Sequence, residues 1–499
     1  MKYVLGVDLG TSAVKILLVN EHGDVVNEVS KDYPVIQKRS GYSEQEPDVW
    51  VEKTVDGLSE VVRSFQGNPE DIEGISFSGQ MHGLVLLDND LYPLRNAILW
   101  NDTRTSKECE QIYNVVGEDQ LLKLTKNPAL EGFTLPKILW VKNNEPNLFA
   151  NAKTFVLPKD YVRLKLTGKL HMEHSDAAGT LLFDIANKEW SNEMCDLFGL
   201  RDQFCPPLVK SHEVVGSLLP DIADEIGLTS NTKIIAGGAD NACGAIGSGV
   251  LEEGKTLASI GTSGVILSYE SSHEKDFKGL VHYFNHGVEN AYYTMGVTLA
   301  AGDSLSWFKD VFAPDEDYDD LLEGIDDVPP GANGLLFTPY LVGERTPHVD
   351  ANIRASFVGM DRSHKRDDFV RAVLEGITFS LNESVEIFRK QGKKIETVIS
   401  IGGGAKNDAW LQLQADVFNA KVVKLKNEQG PGMGAAMLAA YGCNWFDSLR
   451  ACGEEFLRVD KEFNPNISNV RKYKELFEIY QDIYQNTKEL QHRLVKFRN

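Results

Sequence analysis

The chain predicts an α/β protein of two related domains around a central cleft, and three observations carry that prediction. The turn Leu9-Gly10-Thr11-Ser12, set between two β-rich runs, recurs half a chain later as Ile260-Gly261-Thr262-Ser263 in the same setting. Strand-like runs alternate with helix-like runs, the pattern of an α/β domain. The 499-residue length exceeds what one hydrophobic core usually supports. A single Gly-Thr-Ser turn also fits an ordinary hairpin. Its repetition, with Asp8 just ahead of the first copy, points to two hairpins facing one ligand.

In chain order, Tyr3 to Asp8 reads as a buried strand, Gly10-Thr11-Ser12 as a tight turn and Val14 to Val19 as the returning strand. His22-Gly23-Asp24 turns the chain into a third strand, Val25 to Val29, which makes an antiparallel meander. A helix follows with Asp48 as its expected N-cap and a 3.6-residue stripe of Trp50, Val51, Val55, Leu58, Val61 and Val62. Then come a strand over 72–78, a turn over 79–83 and a strand over 84–87. Around Lys233-Ile234-Ile235-Ala236 the pattern restarts as strand, glycine turn and strand, so the domains are placed at 1–245 and 246–499. The second half carries the second hairpin, with Thr256 to Ile260 before the turn and Val265 to Tyr269 after it. It also carries a third glycine cluster, Gly402-Gly403-Gly404, between the strand Val398 to Ile401 and a helix through Trp410 and Phe418. The apolar stripe Val470, Tyr473, Phe477, Tyr480, Ile483, Tyr484 predicts a closing helix packed on the second domain.

A formal net charge of −22 excludes a general nucleic-acid or anionic-membrane surface. Phosphate groups would have to be held locally, by backbone amides and a metal ion. The six cysteines fall in no metal-like spacing, the N-terminus lacks the pattern of a signal peptide, and no apolar run reaches spanning length, so a reduced, cytoplasmic setting is expected.

The residues suited to chemistry cluster at the glycine turns. Asp240, in Gly237-Gly238-Ala239-Asp240-Asn241, follows a buried-type strand among glycines and is placed either to accept a proton from an attacking hydroxyl or to cap the next helix. Asp8 suits either a magnesium ion held through water or a bond to its own turn. Lys15 points to phosphate or to solvent. Gln80-Met81-His82-Gly83 combines polar, apolar and ionisable side chains at a strand end, a mixture suited to a sugar's hydroxyls and carbon face. Leu99-Trp100-Asn101-Asp102 adds an aromatic face of the same kind, although a Trp in an apolar run is by default core.

With these residues in view, the chain resembles the FGGY carbohydrate kinases of the actin-like ATPase superfamily over nearly its whole length. The matching stretches include Val7 to Ser12, Ser78 to Gly83, Ile98 to Asp102, Leu157-Pro158-Lys159-Asp160-Tyr161, Gly237 to Asn241, Ile260 to Gly264, Gly343-Glu344-Arg345-Thr346-Pro347 and Gly402 to Lys406. The resemblance implies two ribonuclease-H-like domains around a cleft, sugar against the first and adenosine against the second. It implies ATP and Mg2+, with Asp240 as catalytic base and Asp8 as the metal-orienting acid. Gly10, Thr11, Ser12, Lys15, Gly261 and Thr262 would meet the phosphates, and Gly302, Ser306, Gly403, Gly404 and Asn407 the rest of the nucleotide. Gln80, Met81, His82, Trp100, Asp240 and Asn241 would meet the sugar. The Met-His pair argues for a ketose, a pentulose such as xylulose first, with ribulose or xylitol as the alternative acceptor. A sugar sensor without transferase activity would keep both hairpins but would not need Asp240 beside that pair. His82 is expected to position the sugar as a hydrogen-bond donor. Family relatives suggest a homodimer.

Overall fold

A computed structural model describes residues 1–200 and 203–498. It contains two seven-stranded sheets built on one plan. In the first, the strands Tyr3–Leu9, Ala13–Asn20 and Val25–Asp32 run as an antiparallel meander. Ile72–Gly79 then pairs parallel to Tyr3–Leu9, and Lys233–Ile235 pairs parallel to Ile72–Gly79. In the second, Lys255–Ile260, Gly264–Glu270 and Tyr292–Thr298 form the meander. Thr397–Gly402 and Lys421–Leu425 follow in parallel. The shared order accounts for the sequence repeat: each Gly-Thr-Ser turn joins the first two strands of its sheet. In an open sheet of this kind, ligands meet the carboxyl ends of the parallel strands, where these turns lie.

One local expectation is corrected and two others are refined. The first helix, Pro47–Ser64, takes Glu46 as N-cap with Pro47 opening the first turn. Pro suits that position because the missing N–H would have had no partner there. Asp48 lies inside the helix and accepts a 2.5 Å hydrogen bond from the Tyr161 hydroxyl. Second, Lys233–Ile235 does not open a new unit. Both it and the short strand Gly238–Ala239 pair with Ile72–Gly79, completing the first sheet. The expected strand over 84–87 forms as Val85–Leu87, outside the main sheet and paired with Thr154–Val156.

The helix Gly430–Gly442 comes late in the chain yet covers the first sheet. Its small residues let it lie against Tyr3–Leu9 and against the helix Asp240–Gly247. A Cβ on Gly434 would run into the Cys243 carbonyl oxygen, and one on Gly6 into that of Gly432. Val4, Leu17, Val19, Ile235, Cys243 and Ile246 therefore share one buried cluster with Met433, Met437 and Leu438. The closing helix, Ile467–Leu494, buries Tyr473, Phe477, Tyr480 and Ile483, as its stripe predicts. No helix among the described residues is long and apolar enough to cross a membrane, and all six cysteines are free.

Candidate active site

The first hairpin is held by residues from several elements. Tyr33 donates its hydroxyl to the Gly10 carbonyl at 2.6 Å, Gln45 donates to the Thr11 carbonyl at 2.7 Å, and the Trp100 indole N–H donates to Thr11 Oγ1 at 2.9 Å. Trp100 is thus not core: it is 47% exposed and faces the cleft. Gln80 lies behind this layer, buried, with its amide 3.3 Å from the Gly10 carbonyl and from Gln45 Oε1. It shapes the hairpin and does not line the sugar-side cavity. Asp8 ends the first strand, opposite Lys15 on one side and Ser78 on the other. Burial raises its carboxyl above the ordinary value, against smaller opposing pulls from Ser78 and Lys15. The Lys15 ammonium is engaged by Gln429 Oε1 at 2.6 Å and Glu28 at 3.0 Å.

Asp240 is the first residue of its helix, with Ala239 as N-cap. Its carboxylate accepts from the Asn241 backbone at 2.7 Å and side chain at 2.9 Å. Behind it lies a buried ionic network that the sequence gives little sign of. Lys159 reaches Asp160 and Asp176 at 2.7 Å and Glu173 at 3.3 Å, all fully buried. Ser175 donates to Glu173 and accepts from the Ala239 N–H at 2.9 Å, so the network fixes the residue before Asp240. Burial pushes Asp176 well above the usual carboxylate range. The cost of burying these charges is offset only because each ion has close partners. Asp240 itself is raised to about 7, first by burial and then by the nearby charge of Asp8, while the bonds from Asn241 oppose the shift.

A cavity of about 320 Å³ opens in front of Asp240 and draws Met81, His82, Trp100 and Asn241 together. His82 has φ of +66° and places Nδ1 2.7 Å from the Gly179 carbonyl. A carbonyl only accepts, so Nδ1 carries the proton and Nε2 is left with a lone pair. The expected donor role is therefore corrected: burial, with Lys137 adding to it, lowers the ring to about 3, leaving His82 a neutral acceptor. Among the residues that the second half contributes are two ionisable ones, His282 and Arg345. His282 gave no sequence signal beyond a polar residue in a short strand. Arg345 lay inside a family-like stretch, without a role of its own.

On the other side of the second hairpin, Gly261, Thr262, Gly302, Ser306, Gly403, Gly404 and Asn407 share a second cavity. The Gly302 N–H donates to the Gly261 carbonyl at 2.8 Å, and a Cβ at Gly302 would collide with that oxygen. Asn407 caps the helix Asp408–Phe418, accepting from Trp410 N–H at 3.0 Å. The two cavities, which flank the second hairpin at Ser263 and at Gly261 and Thr262, suit a small acceptor and a nucleotide meeting at the phosphates.

Residues 3–247 match the N-terminal domain, and residues 256–443 the C-terminal domain, of the FGGY family of carbohydrate kinases. The chain belongs to that family. It is 61% identical over 498 residues to the xylulose kinase of Bacillus subtilis strain 168, covering 100% of both chains. Among solved structures, ligand-bound xylulose kinase from Lactobacillus acidophilus superimposes with a TM-score of 0.92 at 30% identity, covering 98% of this chain and 99% of that one. A gluconate kinase from Lactobacillus acidophilus superimposes equally well, also at 0.92 and 30%, covering 97% and 98%. Structures named for two different kinases thus share this fold, so the fold alone does not name the acceptor.

Among the described residues no group of three or more His, Cys, Asp or Glu side chains is arranged for a metal ion. Two acidic groups, Asp8 and Asp240, lie near enough for the charge of one to raise the other, and a cation beside them would relieve that repulsion. That donor set fits magnesium, which keeps several waters and takes few protein ligands.

Proposed function

We infer that this FGGY kinase transfers the γ-phosphoryl group of ATP to the 5-hydroxyl of D-xylulose, giving D-xylulose 5-phosphate. The observation that carries the reading is the placement of Asp240, raised to about 7, in one cavity with Met81, His82 and Asn241. Its identity to the Bacillus subtilis enzyme supports the choice of sugar. Asp240 takes the hydroxyl proton as the sugar oxygen bonds to phosphorus and the bond to ADP breaks, and a base near neutrality suits that transfer. The hairpins around Thr11 and Thr262 present backbone N–H groups and hydroxyls to the phosphate oxygens. Magnesium, when bound with the nucleotide, neutralises phosphate charge, and Asp8 would hold it through water. His82 accepts from a sugar hydroxyl, and Trp100 covers the carbon face while steadying Thr11. The reading includes a cytoplasmic setting, which the ATP requirement supports, and a homodimer, which the family resemblance suggests.

The test is a panel of D-xylulose, D-ribulose, xylitol and gluconate with ATP and Mg2+, with the products identified by mass and by phosphorus NMR. The expected result is preferred turnover of D-xylulose at O5. Preferred turnover of gluconate, or no sugar-dependent ADP release, overturns the reading.

A further inference from the structure

The loop carrying Arg345 is fixed by its backbone while the guanidinium makes no hydrogen bond. Glu344 and Asp350 exchange two 2.9 Å backbone hydrogen bonds across the base of the loop. The buried Glu344 carboxylate accepts from the Leu299 and Arg345 N–H groups at 2.9 and 2.7 Å, and from Ser380 at 3.1 Å. Thr346 N–H adds a 3.0 Å bond to the Val297 carbonyl. Among the described residues the Arg345 guanidinium itself has no hydrogen bond or ion pair, although it lines the cavity with Met81, His82, His282 and Asp240. The guanidinium feels the charges of Glu131, on the same cavity wall, and Glu344 but bonds to neither, so its five N–H donors call for an acceptor from the ligand.

The other groups around the cavity narrow what that acceptor is. His82 and His282 both present lone pairs. The His282 Nδ1 lies 3.3 Å from Asn127 Oδ1, and the Asn127 amide nitrogen donates to the Thr125 and Tyr283 carbonyls, so Nδ1 of His282 is the donor. Burial keeps both rings neutral. Sugar hydroxyls can donate to these rings, but a carbonyl cannot. Asn241 Nδ2 is committed to Asp240 and Met81, and the Trp100 N–H to Thr11, while the donors Asn101, Thr103 and Ser263 on the same wall are exposed. The charge of Arg345 acts on His82 and His282, whereas the charge acting on Asp240 is that of Asp8. Arg345 thus shares the cavity wall with both histidines.

Chemistry supplies a matching ligand group. Transfer to O5 needs a free 5-hydroxyl, and a 2-pentulose closes its five-membered ring through that oxygen. The reacting sugar is thus open-chain, with a bare C2 carbonyl three carbons from the base. We propose that Arg345 donates to this carbonyl, and that it is the residue by which this kinase separates a ketose from the polyol of the same skeleton. The proposal rests on the D-xylulose reading above.

Arg345→Gln and Arg345→Lys are compared with the wild type, after melting curves establish folding and after the wild type has been shown to phosphorylate D-xylulose. Failure at that stage sinks the function, not the role of Arg345. Dissociation constants for D-xylulose and D-ribulose should rise together by about 10–100-fold in Arg345→Gln, the loss expected for a hydrogen bond from a charged group. Arg345→Lys should recover part of it, having the charge without the planar fork. Inhibition by xylitol should change little, so the ketose-to-polyol ratio shrinks. The decisive readout is the carbonyl stretch of bound D-[2-13C]xylulose in isotope-edited infrared spectra, which should lie lower in the wild type than in Arg345→Gln. Equal carbonyl frequencies, absence of a carbonyl band, or loss of kcat with unchanged ketose binding would each overturn the proposal, the last by assigning Arg345 to the transferred phosphoryl group.

Discussion

At the scale of single residues, the burial of Asp240 opposite Asp8 ties activity to stability. Its value in the fold, about 7, lies above the unfolded 3.8. The charged form is therefore disfavoured in the fold above pH 7, and the penalty disappears once both states are protonated, below about pH 4. Asp240→Asn removes that penalty, so the variant should be more stable than the wild type at pH 8, by roughly 1–4 kcal/mol, since each tenfold change in acidity is worth about 1.4 kcal/mol. Urea titrations should show the gap at pH 8 and none near pH 3.5; equal stability at pH 8 would sink the argument. The same variant should lose turnover by ~10²–10⁴. In the wild type, kcat/KM for the sugar should fall about tenfold per pH unit on the acid side of 7. His82 offers a second test at this scale. Its φ of +66° favours Asn over Ala, which pays in strain there. Both His82→Asn and His82→Ala should weaken D-xylulose binding by roughly 1–3 kcal/mol, but Ala should also lower the melting temperature. Calorimetry without ATP, beside a melting curve, separates the two effects, and unchanged sugar affinity in both variants removes His82 from the site.

At the scale of elements, the position of Asp240 depends on how two helices meet. Helix Asp240–Gly247 lies on helix Gly430–Gly442 at a separation set by Gly434, where a Cβ would strike the Cys243 carbonyl. That oxygen is backbone and cannot swing away. Gly434→Ala should therefore cost about 1–3 kcal/mol, the usual penalty for overfilling a packed contact. It should also lower kcat more than nucleotide affinity, because the helix that moves carries the base and not the second hairpin. Unchanged melting temperature and kcat would show that the contact relaxes freely.

At the scale of the whole molecule, the chain's two halves do not each contain a complete core. Residues of the first sheet and of helix Asp240–Gly247 share a buried cluster with Met433, Ala436, Met437 and Leu438 from near the end of the chain. A fragment of residues 1–250 exposes that surface to water, so it should fail to give a cooperative melt or a monodisperse peak on gel filtration. Co-expression with residues 251–499 should restore both. A soluble, cooperatively melting 1–250 fragment would contradict this dependence.

The sequence by itself determined the two-sheet plan, both hairpins and the candidate residues at the turns. Those features depend on local signals: alternation for strands, glycine at the turns, polar residues at strand ends. It also placed Asp240 correctly at a strand-to-helix junction, where its neighbours allowed either a base or a cap and only the family resemblance chose the base. Only the tertiary structure decided that Ala239 is the cap and that Asp8 raises the Asp240 carboxyl. It alone showed that Trp100 faces the cleft to hold Thr11, that Gln80 works behind the hairpin, and that His82 accepts and does not donate. These are properties of partners far apart in the chain, such as Gly179 beside His82 and Ser175 beneath Ala239. A protonation state or a hydrogen-bond direction follows from which atom ends up opposite, and neither spacing nor composition records that.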